Sequence, residues 1–93
     1  MALFQIGETV ICTIEVRDDA GNYKDPATSM TITITDPHHT VIVDNQAMTK
    51  DAVGKYHYDY NSPSTALSGN YTVRYVATDG SRITIEKETF ALE

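Results

Sequence analysis

The chain has 93 residues, 7 basic and 13 acidic side chains for a net charge of −6, one cysteine and no tryptophan. That length supports a single domain over residues 1–93, and a composition 41% hydrophobic and 22% charged is globular, too apolar for a disordered chain. Cys12 has no intrachain partner, which excludes a disulfide framework, and basic residues scattered among acidic ones exclude the stripe a nucleic-acid partner requires.

Period-two alternation dominates the chain. After a short strand expected over residues 3–6, the even positions Val10, Cys12, Ile14 and Val16 are apolar, while Ile11, Thr13, Glu15 and Arg17 point the other way. Asp18-Asp19-Ala20-Gly21-Asn22 supplies turn chemistry. Met30, Ile32 and Ile34 then alternate with Thr31, Thr33 and Thr35, and β-branching favours the pleated conformation. Asp36-Pro37-His38-His39 ends that strand. A short strand is expected over residues 40–43, a polar turn at Asp44-Asn45-Gln46, and a brief edge piece around Met48 and Lys50.

Tyr56, Tyr58 and Tyr60 alternate with His57 and Asp59 in the next strand, and a Ser-, Pro- and Thr-containing loop covers residues 61–68. Tyr71, Val73, Tyr75 and Ala77 then alternate with more polar neighbours up to Asp79-Gly80, the strongest hairpin signal in the chain. In the last strand Ile83 and Ile85 are odd, whereas Phe90 and Leu92 are even. One face cannot hold all four, so a bulge or break is expected between Glu86 and Thr89. Seven short strands with turns between them, and no helix, predict an all-β antiparallel sandwich.

Leu67-Ser68-Gly69-Asn70-Tyr71 is the most specific local signature. A leucine, a glycine and a strand-opening tyrosine match the tyrosine corner of immunoglobulin-like sandwiches, assigning Leu67, Gly69 and Tyr71 a structural role. Gly7-Glu8-Thr9-Val10, the turn at residues 18–22, Asp36-Pro37, Gly54-Lys55-Tyr56 and Phe90 extend the pattern over residues 4–92. The order resembles the immunoglobulin-like domains of the alpha-2-macroglobulin superfamily and similar modules of bacterial surface and phage virion proteins. The chain lacks the antibody-type cysteine pair and core tryptophan, and it lacks the macroglobulin thioester motif. The resemblance therefore implies a fold and a scaffold or adhesion role, with no covalent chemistry.

Several residues are candidates for chemistry. Cys12 as a nucleophile is opposed by its place on an apolar face, where burial raises a thiol's pKa. Asp18, Asp19, Asn22 and Asp25 are a calcium candidate, although they do not follow the twelve-residue calcium-loop pattern. His38, His39 and His57 lack zinc-ligand spacing and read as surface histidines. Tyr56, Tyr58 and Tyr60 are either an aromatic platform for sugars or peptides or the bulk that fills a core with only two phenylalanines. Asn70-Tyr71-Thr72 satisfies the glycosylation sequon but overlaps the corner.

No nucleophile–base arrangement with recognisable local context and no phosphate-cradling glycine loop is present, so neither an enzyme nor a cofactor is expected. No apolar run approaches the about 20 residues of a spanning helix, and membrane insertion is not expected. The first residues carry no basic region followed by an apolar stretch, so no signal peptide is expected. The expected role is a non-catalytic structural or interaction module. It would be a phage virion component or a domain of a bacterial or archaeal surface protein. Its partners would be other subunits or neighbouring domains, through edge strands that also permit a homo-oligomer. The alternative is a carbohydrate- or receptor-binding adhesin module using the tyrosines with His38, His39 and Tyr23.

Overall fold

The computed structural model describes residues 2–93, which form no helix and eight strands. These are β1 (Ala2–Phe4), β2 (Thr9–Glu15), β3 (Ser29–Thr35), β4 (Val41–Ala47), β5 (Thr49–Ala52), β6 (Lys55–Asn61), β7 (Gly69–Asp79) and β8 (Arg82–Leu92). A five-stranded sheet has the order β1-β8-β7-β3-β4, and a three-stranded sheet the order β2-β6-β5.

The alternation seen in the sequence becomes the inner face of each sheet. Register pairs Ile32 with Tyr75 and Ile34 with Val73 in the large sheet, and Val10 with Tyr60 and Cys12 with Tyr58 in the small one. Ile32, Ile34 and Val73 are completely buried, each worth about 1.5–3 kcal/mol of transfer free energy. One end of the core is aromatic. Tyr71 stacks on Phe90 with centroids 5.0 Å apart, Phe4 meets Phe90 edge-on at 6.2 Å, and Tyr60 reaches Tyr71 from the other sheet at 6.4 Å.

The chain changes sheets between β4 and β5 at Met48. Its side chain is buried, and its N–H donates to the Met30 carbonyl at 3.0 Å. Ser62, buried although polar, ties the end of β6 to the loop before β2. Its hydroxyl donates to the Glu8 carbonyl at 2.6 Å and accepts from the Gly7 N–H at 2.9 Å. A buried hydroxyl with both capacities used carries no desolvation penalty of the unpaired kind.

Four expectations need correction. The strands number eight rather than seven, and the edge piece near Lys50 is a strand of its own, β5. The large sheet is mixed, because β1 runs parallel to β8, pairing Leu3 with Ala91. Residues 44–46 do not end a strand: β4 continues to Ala47 and absorbs the extra residues as register shifts against β3. Asn45 there takes a φ of +49°, and its N–H donates to the Thr33 hydroxyl at 3.1 Å.

The fourth concerns β8. No bulge interrupts residues 86–89, since β8 pairs with β7 in unbroken register from Arg82 to Leu92. Parity is instead resolved by leaving Ile83 and Ile85 on the outer face, 64% and 44% exposed. Thr84, Glu86 and Glu88 consequently share the inner face with Phe90 and Leu92. They are tolerated there because β2 and β6 do not cover that stretch, and all three are solvent-exposed.

Candidate functional site

The loop before β7 closes into a corner. The Tyr71 hydroxyl donates to the Leu67 carbonyl at 2.7 Å, and burial pushes the phenol's pKa up. Gly69 has a φ of +129°, and a Cβ there would lie 3.0 Å from Cγ of Pro37. Leu67, Gly69 and Tyr71 thus brace the start of β7 against the β3–β4 turn. Asn70 lies in β7 opposite Ala91, on the outer face of the sheet.

Tyr56, Tyr58 and Tyr60 face inward, opposite Ile14, Cys12 and Val10, and pack partly buried against the core. They present no exposed platform. The outer row beside them is Thr13, His57 and Thr49.

The four acidic and amide candidates do not converge. Asp18 is occupied by its own turn, its carboxylate accepting from the Ala20 and Asn22 N–H groups at 2.9 and 3.0 Å. Asp25 holds a different cluster that spacing did not reveal. It accepts from Lys50 Nζ at 2.5 Å, the Gly54 N–H at 2.8 Å and the Tyr56 hydroxyl at 3.2 Å. The Lys50 hydrogen bond, then that of Gly54, keeps this carboxyl below its ordinary range. Asp19 and Asn22 are exposed. Among the described residues no three His, Cys, Asp or Glu side chains gather as a metal centre would require.

His38 and His39 sit exposed on a turn organised by Asp36, whose carboxylate accepts from the His38 and Thr40 N–H groups at 2.9 and 2.8 Å. His57 bonds Asp51 through Nδ1 at 2.7 Å. Cys12 is 3% exposed, and burial first, with the Glu88 charge adding, pushes its thiol up to about 11. A thiol of that kind stays protonated at neutral pH and is not a nucleophile.

Tyr23, an adhesin candidate, lies under the cations Arg17 and Lys55, 4.1 and 4.8 Å from its ring centroid. Its hydroxyl donates to Glu15 at 2.7 Å and accepts from Arg17 at 2.8 Å. Its ring face and its hydroxyl are therefore already engaged by the chain itself.

What the side chains do form is a seam. The free edge of β2 faces the free edge of β8, and a cleft of about 570 Å³ opens between them. Thr13, Ile14 and Glu15 line one side, Glu86, Lys87 and Glu88 the other, with Asp51 and Lys55 at the margin. A second opening of about 360 Å³ continues the seam past Ile11 and Thr89 toward Phe4. Tyr75 is buried at the floor and its hydroxyl donates to the Glu88 carboxylate. Burial, and that hydrogen bond, hold the Tyr75 phenol firmly protonated. The signal for this seam was present in the parity of Glu86, Glu88, Phe90 and Leu92, which reads as one face once the bulge is removed.

The described residues contain no helix long and apolar enough to cross a membrane. Comparison with curated proteins and with solved structures gives no match. The MG2 domain model matches residues 2–91. With two sheets, no helix among the described residues and a family match over nearly its whole length, the chain belongs to the MG2 family of macroglobulin-type, non-catalytic immunoglobulin-like domains.

Proposed function

We propose that the chain acts as a non-catalytic structural and interaction module of a phage particle or of a bacterial or archaeal cell surface, held by other subunits or neighbouring domains through its edge strands. The observation carrying this reading is the inward turn of Tyr56, Tyr58 and Tyr60. With those rings turned inward against the core, the outer side of the small sheet offers threonine and charge instead of an aromatic surface for a sugar. Unpaired strand edges, by contrast, offer N–H and C=O groups that a neighbouring chain satisfies by strand pairing.

Immunogold labelling with antibodies against the folded chain tests this on purified phage particles and intact cells of the encoding organism. Gold on particles or on the cell surface supports the proposal. Signal confined to the soluble cell interior overturns it. So does saturable binding to one class of glycan that Tyr58→Phe weakens without changing the melting temperature.

A further inference from the structure

We propose that the seam between β2 and β8 receives an extended segment of a partner protein that carries lysine or arginine at alternate positions, added as a new strand along residues 82–89 of β8. This deepens the reading of the chain as an interaction module and rests on it.

The backbone supplies the first argument. On the side away from β7, β8 is paired with β1 only at Phe90, Ala91 and Leu92. Residues 82–89 therefore present an unbulged row of free main-chain groups. Among the other edges, β4 shifts register twice against β3 and β5 has only four residues, while the seven-residue free edge of β2 is shorter than the eight free residues of β8 and forms the opposite wall of the same seam. Strand addition takes its affinity from main-chain hydrogen bonds and its selectivity from alternate side chains.

Those alternate side chains supply the second argument. An added strand at this position places every other residue over the cleft, against Glu86 and Glu88 of β8, whereas Glu15 of β2 points outward and is already engaged by Tyr23 and Arg17. Lys55 and Lys87 also line the cleft, yet none of the ion pairs among the described residues engages Glu86 or Glu88, and Lys87 pairs in register with Arg74 on the outer face. Burying carboxylates under an apolar strand leaves charge without a partner, which is costly. A strand with inward-facing ammonium or guanidinium groups satisfies the same carboxylates with charge-assisted hydrogen bonds. The acidic inner face thus rejects the apolar edges common among β proteins and admits a cationic one.

A second copy of the chain does not fit this requirement. Its net charge is −6, and the two basic residues of its own β8, Arg82 and Lys87, lie on opposite faces. A different, basic segment is the occupant the charges select.

The test uses the full chain and a blocked synthetic peptide of roughly eight residues, long enough to run along the free edge, alternating lysine with threonine or valine. A peptide with glutamate in place of lysine is the control. Amide exchange and chemical shifts of the folded protein are followed by NMR during titration. The expected result is slowed exchange and shifts along residues 82–89 with the lysine peptide only, weakened about tenfold or more in the E86Q/E88Q double variant. The double variant keeps an acceptor for the Tyr75 hydroxyl, and its unchanged spectrum elsewhere establishes that it is folded. Protection at β2, β4 or β5 instead overturns the assignment to β8 while leaving the interaction-module reading standing. Binding that ignores the double variant, or no binding at all, overturns the cationic-strand proposal itself. The immunogold result stands independently of either outcome.

Discussion

The hydroxyl of Tyr71 reaches back four residues to the carbonyl of Leu67, 2.7 Å away, while its ring lies flat on Phe90. One side chain thereby fixes both the loop that enters β7 and the aromatic end of the core. Tyr71→Phe keeps the stacking and removes only the hydrogen bond. Because the abandoned carbonyl lies in a half-buried corner, the expected loss is about 1–2 kcal/mol in urea melts. Gly69→Ala should be worse, since it adds a strained φ of +129° to a contact 3.0 Å from Pro37. A loss at Tyr71→Phe no larger than that of a surface substitution would show that the corner does not brace the fold.

Ile32→Ala and Val73→Ala remove methyl groups from completely buried positions and should each cost roughly 2–4 kcal/mol. Thr33, between Ile32 and Ile34 on the opposite face of β3, looks dispensable from its parity alone. Its hydroxyl nevertheless accepts the Asn45 N–H where β4 bulges. Thr33→Ala should therefore cost about 1 kcal/mol, Thr33→Ser should recover most of it, and Thr33→Val should not. Equal stability of the serine and valine variants would remove the hydroxyl's role.

The contrast between Ile32 and Thr33 also marks what alternation makes legible. Period two assigns faces, so Val10, Cys12, Ile32, Ile34 and Val73 could be placed inside from the chain alone. It carries no information about what a long-range backbone approach asks of a side chain. The Thr33–Asn45 bond, the Ser62 tie to Glu8 and the Asp25–Lys50 pair each join residues 12 to 54 positions apart. The β8 strand shows a different limit. Apolar Ile83 and Ile85 suggested an inward face, but only the extent of the opposing sheet decides whether an inner face must be apolar. The three-strand sheet stops short, so carboxylates occupy positions that parity had reserved for the core.

Cys12 yields a prediction in alkaline solution. Its thiol ionises at about 11 in the folded chain against an ordinary 9.0, so folding favours the protonated form. The corresponding stability is fully present below pH 9 and is lost as pH rises toward 11. Cys12→Ala should lower stability at pH 7 through lost packing, yet flatten the alkaline decline relative to wild type. At pH 8 the native thiol should react with iodoacetamide far more slowly than the thiol of the urea-unfolded chain. Equal alkylation rates in the two states would place Cys12 in solvent.

Asp25 acts at the opposite end of the pH scale. It joins the loop between β2 and β3 to the β5–β6 hairpin by accepting from Lys50, Gly54 and Tyr56. The Lys50 hydrogen bond, followed by that of Gly54, depresses its pKa below the ordinary 3.8, so the folded state binds this proton less readily than the unfolded one. A depressed carboxyl contributes stability above the unfolded value, and loses it as pH falls through the folded value. The melting temperature of wild type should therefore drop below pH 4 more steeply than that of Asp25→Asn, whose amide oxygen still accepts from Gly54 but carries no charge for Lys50. Salt should weaken the wild-type advantage at neutral pH, because Lys50 and Asp25 are half- and one-third exposed, at 50% and 33%. Parallel acid profiles for the two proteins would show that the carboxylate's charge contributes nothing to holding the loop, and that the Gly54 and Tyr56 hydrogen bonds suffice.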